Sequence, residues 1–258
     1  MPVLSANGET IHYIKEGAGP AVALIHSLGA SVHMWGGLIA ALKDHYTVIA
    51  CDARGHGGSS GKGECSVATS AQDLKSVLDD VGVAECHLVG ISSGGQVALT
   101  FAAQWPAAVR SLVLADTSVR PIEGSSQKVE ATAEAIAYVS MEEFGTQYAA
   151  ETLLPSTALD VQDALAAEIA GVNPKIYIQL MRSAALGDFS GLTAQVSQPT
   201  LVLVGESDAP AFHSEAESLA QVLPNAKLER LASAGHLACL DSPAAFNQAV
   251  RKFLDSHR

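Results

Sequence analysis

Five short, unbroken apolar runs set the limits on how this chain can fold: AVALIH (21–26), TVIAC (47–51), CHLVGI (86–91), SLVLAD (111–116) and TLVLVG (200–205). A strand with one wet face alternates apolar and polar residues, whereas a strand covered on both faces reads as a continuous apolar run. Between these runs lie stretches with helical spacing, over 67–81, from Ser93 to about Gln104, over roughly 213–222, and from Pro243 onward. Pro243 suits a first helical position. Strand–helix alternation of this kind specifies an α/β fold, a mostly parallel, doubly wound sheet with helices on both faces. Residues 2–15 alternate apolar and polar and read as an antiparallel edge hairpin.

The alternation lapses once. Residues 118–196 hold no strand-like block and are Ala- and Glu-rich with helical character, as in KVEATAEAIAYV, MEEFGTQYAAETLL, VQDALAAEIAG and NPKIYIQLMRSAAL. The expected organisation is a core of 1–117 and 197–258 with a helical lid, 118–196, inserted before the last strands. Such a lid would cover the carboxyl edge of the sheet, where ligand crevices of open α/β sheets lie. A chain of 258 residues accommodates this as one domain with an insertion.

Bulk properties narrow the function. A net charge of −12 argues against a nucleic-acid or anionic-membrane binder, since both need a basic face. Cys51, Cys65, Cys86 and Cys239 form no C-x-x-C pair, so neither zinc nor a redox couple is indicated, and Cys51 and Cys86 read as small core residues. No basic-then-apolar leader and no run of membrane-spanning length is present, and the expectation is a soluble cytoplasmic protein with free thiols.

The chemistry centres on LVGISSGGQ (88–96). A serine at the tip of a sharp strand-to-helix turn requires nearly side-chain-free residues two before and two after it, giving G-x-S-x-G. Gly90 and Gly94 satisfy this around Ser92, whereas Ile91 spoils it around Ser93. A strand precedes Ser92 and a helix follows, as the pattern demands. A serine hydroxyl needs a base, and the base needs an orienting acid. His236, in SAGHLACLDSP between the run KLERLA and the final helix, can reach the sheet edge. His26, His56 and His87 sit in strands or tight turns and read as structural, His33, His45, His213 and His257 as helical or surface residues, and His12 lies on the hairpin. The acid should follow another strand. GESDAP after the run 200–205 offers Asp208, deeper in the loop, and Glu206, and Asp116 ends the run 111–116. Asp208 is preferred, and Asp116 and Glu206 stay open. The order Ser…Asp…His suits an elbow-type hydrolase. An oxyanion would be held by the backbone N–H groups of Ser93 and of Leu28 in HSLGAS (26–31). Trp35 is either a pocket wall or ordinary core. In CDARGHGGSS (51–60), which lacks the lysine of a phosphate loop, Asp52 and Arg54 are expected to pair locally. No metal-ligand spacing and no dinucleotide fingerprint appears, so neither a cofactor nor a metal is expected.

Taken together in order and spacing, HSLGAS, DARGHGGSS, GISSGG, LVLVGESD and SAGHLACLDSP resemble the α/β-hydrolase fold superfamily over nearly the whole chain outside 118–196. The resemblance implies Ser92, Asp208 and His236 as a triad and the N–H groups of Leu28 and Ser93 as the oxyanion hole. Within that superfamily, HSLGASVHMW followed by DARGHGGSS is most similar to the 3-oxoadipate enol-lactonase and carboxylesterase group, which implies a small ester or lactone as substrate. An enol-lactone of a dicarboxylate would need a cation nearby. Arg120, Lys128, Lys175 and Arg182 lie in the insertion, and each reads first as solvated surface. Carbon–carbon bond hydrolysis and perhydrolysis use the same residues, and a non-catalytic small-ligand receptor is a further reading of the same scaffold.

Overall fold

A computed structural model describes residues 2–258. Eight strands, β1 (Val3–Ala6), β2 (Glu9–Glu16), β3 (Ala21–Ile25), β4 (Thr47–Cys51), β5 (Cys86–Ile91), β6 (Val109–Ala115), β7 (Thr200–Gly205) and β8 (Ala226–Leu231), form one sheet in the order β1-β2-β4-β3-β5-β6-β7-β8. β1 pairs antiparallel with β2 and β2 antiparallel with β4, and every later pairing is parallel. The apolar runs are the central strands, and the alternating start of the chain is the antiparallel edge, as the patterning of residues 2–15 and of the five runs requires.

Among the described residues ten α-helices accompany the sheet: α1 (Gly36–Leu42), α2 (Val67–Asp80), α3 (Ser93–Gln104), α4 (Ser125–Tyr138), α5 (Met141–Thr152), α6 (Leu159–Ala170), α7 (Pro174–Leu186), α8 (Pro210–Val222), α9 (Ala238–Asp241) and α10 (Pro243–Asp255). The unbroken strand runs feed two cores at once. Val22 and Leu24 of β3 join one cluster with Trp35, Leu42, Phe246 and Val250, while Ala23 and Ile25 join the other with Leu74, Val97 and Phe101. β4 and β7 divide their residues in the same period of two, Val48 and Ala50 against Ile49 and Cys51, and Leu201 and Leu203 against Val202 and Val204. That period sends successive residues of each strand into opposite cores, which is why these strands read as nearly unbroken apolar runs.

Local chemistry sets the helix starts. Ser66 and Thr69 cap α2 reciprocally, Ser140 accepts from Glu143 N–H at α5, and Asn173 accepts from Lys175 N–H ahead of Pro174 at α7. α8 begins three residues before the helical spacing suggested, because Pro210 occupies a first-turn position where its missing N–H costs nothing. Helices α4 to α7 lie between β6 and β7, and Gly29 of the loop after β3 approaches Ile169 of α6 and Tyr177 of α7. Among the described residues no helix is long and apolar enough to cross a membrane.

Candidate active site

Each functional candidate sits just beyond the carboxyl end of a strand. Ser92 follows β5, the 26–31 loop follows β3, Asp208 follows β7 and His236 follows β8. Ser92 has φ 54° and ψ −122°, a strained conformation for a residue with a Cβ. The strain is made possible by its neighbours. A Cβ on Gly90 would lie 2.2 Å from the Gly94 carbonyl oxygen, and one on Gly94 would lie 2.1 Å from that of Ile25. No real Cβ occupies such a distance, so the two glycines are what let the turn close this tightly against β3.

The elbow presents Ser92 Oγ 2.9 Å from His236 Nε2, and His236 Nδ1 lies 3.0 Å from Asp208 Oδ2. The carboxylate can only accept, which fixes the tautomer: Nδ1 carries the proton and Nε2 is left to accept from the serine hydroxyl. Burial pushes the imidazolium down, but the hydrogen bond and the charge of Asp208, aided by Asp116, outweigh it, so the His236 pKa lies above its ordinary 6.5. Phe212 packs on the imidazole with ring centroids 4.3 Å apart. Asp208 is steered by its own loop, since its N–H donates to Gly205 O and its Oδ1 accepts from Ala209 N–H. A Cβ at Gly205 would meet Gly235 O at 2.3 Å, so a glycine there lets the acid-bearing and histidine-bearing loops touch.

The other two acids are placed differently. Glu206 is exposed. Asp116, at φ 46° and almost wholly buried, accepts from Gly205 N–H at 2.8 Å and lies 3.5 Å from Ala238 N; burial raises its pKa to about 7. It therefore braces the loops that carry Asp208 and His236 and makes no hydrogen bond to the imidazole.

Ser92 opens into a cavity of about 320 Å³ walled by Leu28, Ser93, Gln96, Ile122, Tyr148, Tyr177, Met181, Ala185 and Phe212, with Glu123 and Lys128 on its solvent-exposed side. The backbone N–H groups of Leu28 and Ser93 have no protein acceptor among the described residues. Ser93 also begins α3, whose N-terminal partial positive charge favours an anion beside it. The geometry can therefore transfer a proton off Ser92 and hold negative charge next to it. Among the described residues no cluster of three or more metal-ligating side chains occurs.

Several sequence readings change. Trp35 is no pocket wall: it is fully buried, stacks toward Phe246 at 6.2 Å, and faces α10 because it closes the short helical turn at 32–35. Asp52 and Arg54 do not pair with each other. The turn at 53–56 aims the guanidinium at α2, where Asp73 takes two hydrogen bonds, and Asp52 instead binds His12 Nδ1, Val32 N–H and Gly58 N–H. Of the insertion's cations, Arg120 pairs with Glu215, Arg182 with Glu130, and Lys175 stands exposed away from the cavity, but Lys128 lines it. Tyr148, Tyr177 and Phe212 were not marked by any motif, and only the helical spacing of α5, α7 and α8 hinted at an inward face.

A sequence profile of the alpha/beta hydrolase fold matches residues 20–243. The chain belongs to the α/β-hydrolase fold family. As an α/β hydrolase it is 26% identical to 3-oxoadipate enol-lactonase 2 of Acinetobacter baylyi over 96% of this chain and 94% of that protein. Among solved structures, this α/β hydrolase matches a hydrolase from Pseudomonas aeruginosa PA01 with a TM-score of 0.89 at 30% identity, over 98% and 97% of the two chains. It also matches a thermophilic esterase from Thermogutta terrifontis with a TM-score of 0.89 at 26% identity, over 99% and 97%.

Proposed function

We propose that this α/β hydrolase is a serine hydrolase that cleaves a small, anionic carboxylic ester or lactone through an acyl-enzyme. The observation that carries the proposal is the continuous hydrogen-bonded chain from Asp208 through His236 to Ser92 at the wall of the cavity. Ser92 Oγ attacks the acyl carbon as its proton passes to His236 Nε2, and the N–H groups of Leu28 and Ser93 receive the oxyanion. Each such donor supplies about 3 kcal/mol of transition-state stabilisation in comparable sites. Collapse breaks the acyl C–O bond, and the departing alkoxide or enolate takes the proton from Nε2. In a lactone it stays tethered as the ring opens. Water then gives a proton to Nε2 and its oxygen to the acyl carbon, and Ser92 leaves with that proton. Asp208 keeps the imidazole oriented and stabilises its charged form throughout.

The helical insertion, 118–196, acts as the lid: Ile122, Tyr148, Tyr177 and Met181 from it make the apolar roof. Lys128 supports an anionic substrate, and likeness to the A. baylyi protein makes 3-oxoadipate enol-lactone the first compound to try. The test is initial rates of the purified protein and of Ser92→Ala on p-nitrophenyl esters of increasing length, simple lactones and this enol-lactone. Preference for the enol-lactone, lost in Ser92→Ala, is expected. Preference for neutral short esters would remove the anionic part of the proposal, and a Ser92→Ala protein as active as the parent would overturn the nucleophile.

A further inference from the structure

Side-chain hydrogen bonds tie the insertion to three segments at the sheet edge: the 26–31 loop, α3 and the loop that bears His236. Ser31, at the end of the 26–31 loop, donates to Glu168 of α6 at 2.8 Å. Gln96, one turn beyond Ser92 on α3, donates to Ala184 O of α7 at 3.0 Å. The third tie differs, because one carboxylate spans both sides. Asp241 Oδ2 accepts from the N–H of Gly235, the residue before His236, at 2.8 Å. Its Oδ1 accepts from Leu154 N–H at 2.9 Å and from the Thr157 hydroxyl at 2.5 Å, both in the link between α5 and α6.

We propose that Asp241 is a positioning residue that makes the orientation of His236 depend on how the insertion is seated. This rests on the reading of His236 as the base for Ser92. A carboxylate is planar and rigid, so fixing Oδ1 on the insertion fixes Oδ2, and with it the backbone at Gly235. Hydrogen bonds to an ionised acceptor are short and strong, which suits them to hold such a register. Thr157 is buried and Leu154 half-buried, and α9, which bears Asp241, is anchored by the fully buried Leu237 and Ala238, so neither end of the link gives way easily. Asp241 does not line the cavity and so meets no substrate. A displacement of the base by about an ångström, from a change remote from the reacting atoms, can cost on the order of a hundredfold in rate.

The experiment uses the full chain with Asp241→Asn, Thr157→Val, Thr157→Ser and the Asp241→Asn/Thr157→Val double variant. The readout is the second-order rate constant for phosphonylation of Ser92 by a fluorophosphonate, normalised to the labelled fraction, with Tm alongside. A role in stability alone lowers Tm or the labelled fraction but leaves the rate constant per folded site untouched. Asp241→Asn is expected to slow labelling by about ten- to a hundredfold, and Thr157→Val, which alters only the insertion side, by about three- to tenfold. Thr157→Ser restores the hydroxyl and should recover the parent rate. The double variant should react no more slowly than Asp241→Asn, since both cut one link. The proposal falls if Thr157→Val labels at the parent rate, or if the two effects multiply. If Asp241→Asn fails to fold, the Thr157 pair decides alone. Ser92→Ala separates the two readings: labelling that persists in it refutes the nucleophile, whereas Ser92-dependent labelling untouched by Thr157→Val refutes only the link.

Discussion

At the scale of single residues, the proposed chemistry turns on one imidazole held between a hydroxyl and a carboxylate. The base must be neutral to accept from Ser92, and Asp208 stabilises its charged form. Acidification should therefore abolish kcat/KM with a midpoint above the ordinary histidine value of 6.5. Asp208→Asn should move that midpoint downward while lowering kcat by about ten-thousandfold, because the tautomer is no longer enforced. A pH–rate profile of both proteins checks the sign as well as the size of the effect. Lys128 offers a separate test. Lys128 is exposed at the cavity rim, where solvent screens its charge, so Lys128→Met should raise KM for anionic esters by only about two- to fivefold and leave neutral esters nearly unchanged. Equal changes for both substrate types would deny Lys128 any part in recognition.

Among the elements, the β5–α3 junction has the least freedom. A methyl group at Gly94 would sit on the Ile25 carbonyl, so Gly94→Ala must push β3 and α3 apart. A loss of about 1–3 kcal/mol is expected, with activity falling further than stability, as measured by urea unfolding and by kcat on the folded fraction. This junction was readable in the sequence because G-x-S-x-G between an apolar run and a helical stretch is a local demand of backbone sterics. The central strands were readable for a similar reason: burial on both faces makes apolar residues the rule, and a buried polar exception is hydrogen-bonded, as His87 Nδ1 is to Ser111 Oγ. What local pattern does not record is which side of an element meets a partner far away in sequence. Trp35 had two sensible homes, and only the packing of α10 on the 32–35 turn selects the core. Arg54 found Asp73 nineteen positions on rather than Asp52 two positions back. His12, read only as a hairpin residue, is buried against Asp52. Asp241 stood unremarked inside a quoted motif, since its partners Leu154 and Thr157 lie more than eighty residues earlier.

Over the whole molecule, the cysteines report on integrity. Cys51, Cys65, Cys86 and Cys239 are all buried and unpaired, and burial raises the pKa of each, to about 12 for Cys51 and Cys86. Thiolate is the reactive form, so the native protein at pH 8 should consume almost no Ellman reagent over minutes, and four equivalents once unfolded. Rapid reaction of even one thiol in the native protein would show that its cover opens. The chain order of the site has a consequence for biosynthesis. Ser92 and the 26–31 loop lie ahead of the insertion, whereas Asp208 and His236 lie behind it, on the last two strands of the sheet. A ribosome therefore completes the proposed attacking group more than a hundred residues before the proposed base, His236. On the proposed mechanism, a chain halted before β8 would carry a serine with no base, and its hydrolytic power would be withheld until the segment bearing His236 had been made.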